Sequence, residues 1–551
     1  GRRYMQGMRI LMWCAVLAGL LVAGGAGGAG KPNLVFILCD GLGDGDGSCY
    51  HPQGKIKTPH MDRLAAEGLR FTDAHTTSSV CTPTRYSLLT GRYAWRTRLQ
   101  TGVLGGLSPS LIEPGRLTVG ELLQRQGYQT AVVGKWHLGL DWVRVPGRPA
   151  PPANGIETAE HHGSVDYLLP IARGPLQAGF HEFFGIAGSL DMVPYTFILN
   201  DRVISAPTVN KRFPMMPGRT NAFTRLGPGA PEFRADQVLP ELTRHAVAWI
   251  GQQAEAARAG RPFFLYLALA SPHTPIVPTK PWQGRSGLNP YADFVLQTDD
   301  AVGQVLAALD RHGLATNTLV ILTSDNGCAP QADVKALREA GHEPSGPWRG
   351  YKADIWEGGH RVPFIVRWPG VTPAGATTGE LVSLVDFLAT CAELLGVSLP
   401  PKAGEDSLSF LPVLRGEKGR RDTLVCHSIN GKFALRERQW KLCLTPGSGG
   451  WSEPRDEAAR QQGLPEVQLY DLAGDPGETR NLWREHPEVV ERLTRRLEQV
   501  VQEGRSTPGP RQANAVPVDI WKRPAKPAGA PKVEPRPAAA PASGSPTGGA
   551  G

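Results

Sequence analysis

Four short runs of consecutive apolar residues constrain this chain more than any other feature. They are Leu34-Val35-Phe36-Ile37-Leu38, Ala131-Val132-Val133, Phe263-Phe264-Leu265-Tyr266-Leu267 and Leu319-Val320-Ile321-Leu322. A strand apolar on both faces is buried on both, which is the habit of parallel sheets covered by helices. Between and after the runs lie stretches of helical spacing at 116–127, 236–258, 291–313 and 384–396. Another helix is expected to start with Thr58 as its cap and Pro59 at its first position, and to close at Gly68. The alternation predicts an α/β fold, a large mostly parallel sheet sandwiched by helices.

The ends of these runs point to chemistry. The first leads into Asp40, the second into Lys135-Trp136-His137, the third into Ser271-Pro272-His273 and the fourth into Asp325-Asn326. In open α/β sheets the ligand crevice lies beyond the carboxyl ends of the strands. One aspartate after a strand is usually a cap or turn residue; four polar ends together exceed what capping requires. From 397 the pattern changes. Expected strands at 423–428, 432–436, 438–444 and 466–472, then an amphipathic helix at 486–503 with Val489, Val490, Leu493 and Leu497 in register, predict a smaller antiparallel sheet with a closing helix. The chain thus divides into a catalytic domain over 31–396 and a smaller subdomain over 397–504.

The formal charge of +8 resides in the ends of the 551-residue chain: +3 in residues 1–30 and +5 in residues 505–551. The body is neutral, which removes the electrostatic basis for nucleic-acid binding. Arg2, Arg3 and Arg9 precede an apolar run, Ile10–Ala23, and a small-residue stretch, so residues 1–30 read as a secretory signal. The run is shorter than the about 20 residues a membrane span needs. The expectation is export to the periplasm or extracellular space with no membrane span in the mature chain. Residues 505–551, with ten prolines and six glycines, are expected to be a disordered extension. Of eight cysteines, Cys14 leaves with the signal; the seven that remain include no Cys-x-x-Cys, and at least one must stay unpaired.

Residues 78–92 read Ser-Ser-Val-Cys-Thr-Pro-Thr-Arg-Tyr-Ser-Leu-Leu-Thr-Gly-Arg. Cys81-Thr82-Pro83-Thr84-Arg85 with Leu89-Thr90-Gly91-Arg92 resembles the sulfatase signature, Thr84 standing where Ser or Ala is commoner. The resemblance continues through Pro32–Asp40, Gly134-Lys135-Trp136-His137-Leu138-Gly139, Ser324-Asp325-Asn326-Gly327 and Lys352–Gly359 to Leu469-Tyr470-Asp471-Leu472 and Asp475-Pro476-Gly477-Glu478. It implies an alkaline-phosphatase-like fold and hydrolysis of sulfate monoesters on an aryl sulfate or sulfated glycan. It also implies that a maturase converts Cys81 to formylglycine (3-oxoalanine). A thiol alone would serve poorly, because a sulfated thiol has no easy exit to water. A hydrated aldehyde attacks sulfur with one hydroxyl and expels sulfate through the other.

By the same resemblance, Asp40, Asp325, Asn326 and the Cys81-derived oxygen are the expected ligands of Ca²⁺, a hard cation that prefers oxygen donors. Arg85 keeps the neighbourhood electropositive, Lys135 and Lys352 clamp sulfate, His137 is the base for the hydrate and His273 the acid at the leaving oxygen. His427 and Asp191 occupy segments that often reach the substrate pocket. The proline- and glycine-rich stretch 141–175 is expected to be a rim loop, its His161-His162 pair a surface feature. One departure stands out: the family usually has a second aspartate after Asp40, and here it is Gly41. Weaker metal binding is expected, with Asp44, Asp46 or a water as compensation. A phosphate or phosphonate monoesterase on the same fold and a non-catalytic glycan-binding descendant are the alternatives.

Overall fold

The computed structural model describes residues 30–523, so the expected signal and the end of the C-terminal extension lie outside the described residues. The apolar runs become the centre of a ten-stranded sheet. Its core is five adjacent parallel strands, in spatial order Thr318–Ser324, Asn33–Cys39, Phe263–Ala268, Gln129–Lys135 and Glu182–Ile186. Shorter strands, Phe364–Arg367 and Ile198–Leu199 among them, extend the sheet antiparallel on its two sides. Glu182–Ile186 was not expected; it is short and its apolar run is broken by Gly185.

Alternate side chains of Asn33–Cys39 enter opposite layers. Leu34, Phe36 and Leu38 pack with the helices Cys81–Thr90, Val119–Arg125 and Phe387–Leu394. Val35, Ile37 and Cys39 pack with Pro59–Glu67, Val238–Arg258 and Pro290–Arg311. Each such side chain contributes about 1.5–3 kcal/mol by leaving water, so a one-residue slip would be costly, and the register fixes the strand ends. Cys39 pairs with Ser324, Leu38 with Ala268 and Ala268 with Gly134, which brings Asp40, Asp325 and Lys135 to one sheet edge. Gly134, at φ +128°, is required there: a Cβ would collide with the Ala268 carbonyl of the neighbouring strand.

The smaller sheet, Thr423–His427, Phe433–Glu437, Trp440–Cys443 and Gln468–Asp471, is antiparallel throughout. The helix Pro487–Glu503 covers it with Val489, Leu493, Leu497 and Val500. A buried polar network ties this sheet to the large unit: Lys441 Nζ meets Glu357 Oε1 at 3.0 Å, Glu478 Oε1 at 2.8 Å and His360 Nε2 at 3.0 Å.

Three expectations are corrected. Thr58 does not cap its helix through its side chain; its hydroxyl accepts from Ser48 N at 2.9 Å. The cap is Asp299, whose carboxylate accepts from His60 N at 3.0 Å and Met61 N at 2.8 Å. The helices expected at 116–127 and 384–396 are shorter, Val119–Arg125 and Phe387–Leu394. The extension is not loose over 505–523: Arg96 donates to Asn514 Oδ1 at 2.8 Å, Gln100 donates to the Pro517 carbonyl at 3.0 Å, and Ile520 is buried. All seven described cysteines are free thiols.

Candidate active site

Val80 is extended and Cys81 opens the helix that runs to Thr90, all ten of whose residues are buried. Cys81 therefore sits at a helix amino end, where unpaired N–H groups favour an anion. Its Sγ receives Lys352 Nζ at 3.2 Å and lies 3.5 Å from Asp40 Oδ1. Burial, reinforced by Asp325, pushes the thiol up to about 11 against the opposing pull of Lys135 and Lys352. Near neutral pH it is protonated and a weak nucleophile.

Arg85 lies one turn further along the same helix face. Its guanidinium meets Asp325 Oδ2 at 3.0 and 2.8 Å and donates to the Lys135 carbonyl at 3.0 Å, joining two strand ends. Lys135 Nζ bonds Asp40 Oδ2 at 2.7 Å. Burial opposes ionisation of Asp40, yet His273, Lys135, Lys352 and Arg85 together hold its carboxyl well below the usual range. Asn326 donates to the Gly327 carbonyl at 3.0 Å, while its buried Oδ1 has no partner. A buried amide oxygen with no partner, next in sequence to Asp325, is the kind of donor a hard cation takes. Among the described residues, ligating atoms of Asp40, Cys81 and His273 lie within 4.8 Å of one another; Asp325 is joined to them through Arg85.

His137, at φ +57°, uses Nε2–H to donate to the Leu104 carbonyl at 2.8 Å, which leaves a buried, unpartnered Nδ1 lone pair. Burial, then Lys135 and Arg85, hold its protonation well below the ordinary range, so the ring is neutral. His273 donates from Nδ1 to the Thr274 carbonyl at 2.6 Å, which leaves Nε2 free. Burial first, with Lys352 and Lys135 adding to it against Asp40, lowers its pKa to about 4. Ser189, missed in the sequence, connects the two sides: its Oγ is 3.2 Å from Lys135 Nζ and 3.2 Å from His273 Nδ1. Its signal is its place three residues beyond the short strand Glu182–Ile186.

The two pocket candidates differ. Asp191 pairs with Arg225, NH1 to Oδ2 at 2.7 Å, and its Oδ1 is unpartnered; burial works against its ionisation, but His273 and Arg225 keep it ionised. His427 is 1 % exposed and neither ring nitrogen has a partner. His161 Nδ1 accepts from Thr158 N at 3.2 Å within its own turn. The loop aspartates are engaged elsewhere: Asp44 accepts from Trp348 Nε1 at 2.8 Å, and Asp46 pairs with His342 at 2.9 Å and accepts from Gly43 N at 2.9 Å. Gly41 N donates to Asp325 Oδ1 at 3.1 Å, and a Cβ on Gly41 would stand 3.5 Å from Asn326 Nδ2 and 3.8 Å from the Gly327 carbonyl.

The arrangement matches known proteins. Residues 32–397 match the family description Sulfatase. The chain is 34% identical over 507 residues to an N-acetylgalactosamine-6-O-sulfatase of Bacteroides thetaiotaomicron, covering 85% of this chain and 93% of the relative. It is 34% identical over 511 residues to bovine arylsulfatase A, covering 89% and 90%. A solved 6S-sulfatase structure from B. thetaiotaomicron, described with the metabolism of multiple glycosaminoglycans, superposes with a TM-score of 0.72 at 34% identity, covering 85% of this chain and 99% of that one.

Proposed function

This chain belongs to the sulfatase family and hydrolyses sulfate monoesters, and from that premise we propose that Cys81, oxidised to formylglycine by a maturase, is its nucleophile. The observation that carries the reading is the seat of Cys81: a buried, protonated thiol at a helix amino end, 3.2 Å from Lys352 and 3.5 Å from Asp40. Unmodified, it has little reactivity; the surroundings suit a group that must bind and turn over an oxyanion. Formylglycine supplies a hydrated aldehyde, one hydroxyl to attack sulfur and one to expel sulfate.

Asp40, Asp325 and Asn326 Oδ1 would hold Ca²⁺ with the Cys81-derived oxygen, and the ion supplies positive charge for the developing sulfate oxygens. Lys135 at Asp40 and Lys352 at Cys81 hold the sulfate. The open Nδ1 of His137 takes the hydrate proton, and the Leu104 carbonyl fixes the tautomer that makes this possible. His273 presents Nε2 toward the leaving oxygen; the negative charge of the bound ester offsets burial and the lysines, which otherwise keep the ring neutral. Ser189 positions Lys135 and His273 together. His427 and Asp191 contribute to the substrate pocket.

The substrate class is a sulfated glycan, a reading supported by the names of the B. thetaiotaomicron relatives and by the Asp191–Arg225 pair near His273, suited to sugar hydroxyls. The amino-terminal basic and apolar segments support export to the periplasm or extracellular space. The test is the mass of the Cys81 peptide from native-host protein, together with sulfate release from aryl and hexosamine sulfates. Net loss of H₂S and gain of one oxygen, with activity abolished in Cys81→Ala, is expected. An unmodified thiol in active protein would overturn the nucleophile assignment.

A further inference from the structure

The segment 505–523 follows a defined course that ends against Gln100 and the turn closed by Gly431. It runs along residues 92–100, just after the Cys81 helix: Arg92 donates to the Ala513 carbonyl at 3.3 Å and Ala515 N to the Arg96 carbonyl at 2.8 Å. At its end, Lys522 Nζ donates to the Gln100 carbonyl at 2.8 Å, and Lys432 Nζ donates to the Lys522 carbonyl at 2.6 Å. Lys522 lies over the Phe433 ring, 5.5 Å from its centroid. Among the described residues no carboxylate comes within 4.0 Å of its ammonium, and the nearest to Lys432 is Asp456 at 3.9 Å.

Two contact paths connect these lysines to the reacting groups. Gly431, whose Cβ would collide with the Lys522 ammonium, closes the turn that begins at Ser428; the carbonyl of the preceding His427 accepts from Ser79 N, two residues before Cys81. The stem of Lys432 lies 3.2 Å from the Cβ position of Gly449, and Gly450 packs on Ala353, the neighbour of Lys352. The 100–104 segment that receives Lys522 also supplies the carbonyl that orients His137. Lys522 thus stands against the segments that lead to Cys81, Lys352 and Leu104, a partly buried cation with donor capacity to spare and, among the described residues, no carboxylate within 4.0 Å.

We propose that Lys522, with Lys432 behind it, is a second anion subsite, and that it binds a carboxylate or sulfate on the sugar next to the one being desulfated. This rests on the sulfatase reading for its substrate but adds a selectivity for polyanionic glycans over isolated sulfate esters. Crowding supports it: burial, then Lys432, lower the Lys522 ammonium to about 8. An oxyanion between the lysines would relieve that repulsion and gain charge-assisted hydrogen bonds.

The experiment measures binding to the full chain in a Cys81→Ala background by calorimetry. The probes are a 6-sulfated N-acetylhexosamine, its disaccharide with a uronate, the same disaccharide with the carboxylate reduced to an alcohol, and the reduced form carrying a second sulfate. Lys522→Gln, which keeps a side-chain N–H donor and removes the charge, is expected to weaken the two doubly anionic disaccharides about tenfold. The monosaccharide and the singly anionic disaccharide should move less than twofold, and Lys522→Arg should restore affinity. The carboxylate and second-sulfate probes distinguish the two sources of the anion. An equal loss on all probes, or none, overturns the subsite, as does wild-type binding that ignores the second anion. A lowered melting temperature in Lys522→Gln with uniform weakening assigns the residue a structural role only. Binding needs no turnover, so an inactive enzyme that still prefers the doubly anionic probes would sink the catalytic reading and leave this one standing.

Discussion

Two residues of the candidate site hold backbone conformations that side chains rarely take: His137 at φ +57° and Ala353, beside Lys352, at φ +80°. Such strain persists where surrounding bonds impose it, and here they do. His137 N donates to the Ala187 carbonyl, and Ala353 N donates to the Ser79 carbonyl, each at 2.9 Å. Gly41 is also left-handed, at φ +74°, but has room: the nearest atom to an added Cβ is Asn326 Nδ2 at 3.5 Å. Gly41→Asp is therefore expected to put a third carboxylate on the cation donors and tighten Ca²⁺ binding. The left-handed backbone should cost about 1 kcal/mol of metal-free stability. Calcium calorimetry paired with melting in chelator checks both; unchanged affinity would count against a cation at this position.

At the scale of elements, the helix Pro59–Glu67 shows how a distant residue completes local structure. Its first donors are satisfied by Asp299 from the middle of Pro290–Arg311, not by Thr58. Burial raises the Asp299 carboxyl to about 6, while the two backbone N–H groups oppose that rise. Asp299→Ala leaves those donors buried and unpaired and should cost about 1–3 kcal/mol. Asp299→Asn, which keeps an acceptor, should cost less. Urea unfolding of the two variants measures the difference, and equal midpoints would show that water takes over the cap. The same logic explains the Cys81 helix, whose faces are all buried: its sequence carries no amphipathic signal, and only its motif marked it.

For the whole molecule, buried histidines set the response to acid. His75, His360 and His427 are all held below the ordinary value, burial being the leading cause, and His427 falls to about 3. A neutral buried ring binds no proton where the unfolded chain does, so stability is full above about 6.5 and falls as pH drops toward 3. Asp73 and Glu357, whose carboxyls are lowered despite burial, lose stability in the same direction at lower pH. Asp299 at about 6 and Glu478 at about 7, both raised by burial, work the other way as pH rises through those values. The net expectation is a melting temperature that declines steadily from pH 6.5 to 4, and His427→Asn should flatten the slope. A profile level to pH 4 would mean that the rings are already charged or hydrated.

The sequence by itself determined the layers and the chemistry. Uninterrupted apolar runs have no stable place except a strand covered on both sides, and residues that follow such strands must emerge at the sheet's carboxyl edge, so Asp40, Lys135, His273 and Asp325 could be read in advance with their motifs. Tertiary structure decided what depends on partners far along the chain. Thr58 lost its helix to Asp299, because a carboxylate 241 positions away had the better geometry. Ser189 joined the site because a strand too short to carry a pattern completed the parallel set. Asp44 accepts from Trp348, a partner 304 positions away that no local pattern reveals. The proline-rich segment after 504 looked unable to bury enough surface, and alone it could not. Residues 505–523 pack because Arg92, Arg96 and Gln100 offer hydrogen bonds along their path, and because the smaller sheet has a place for Ile520.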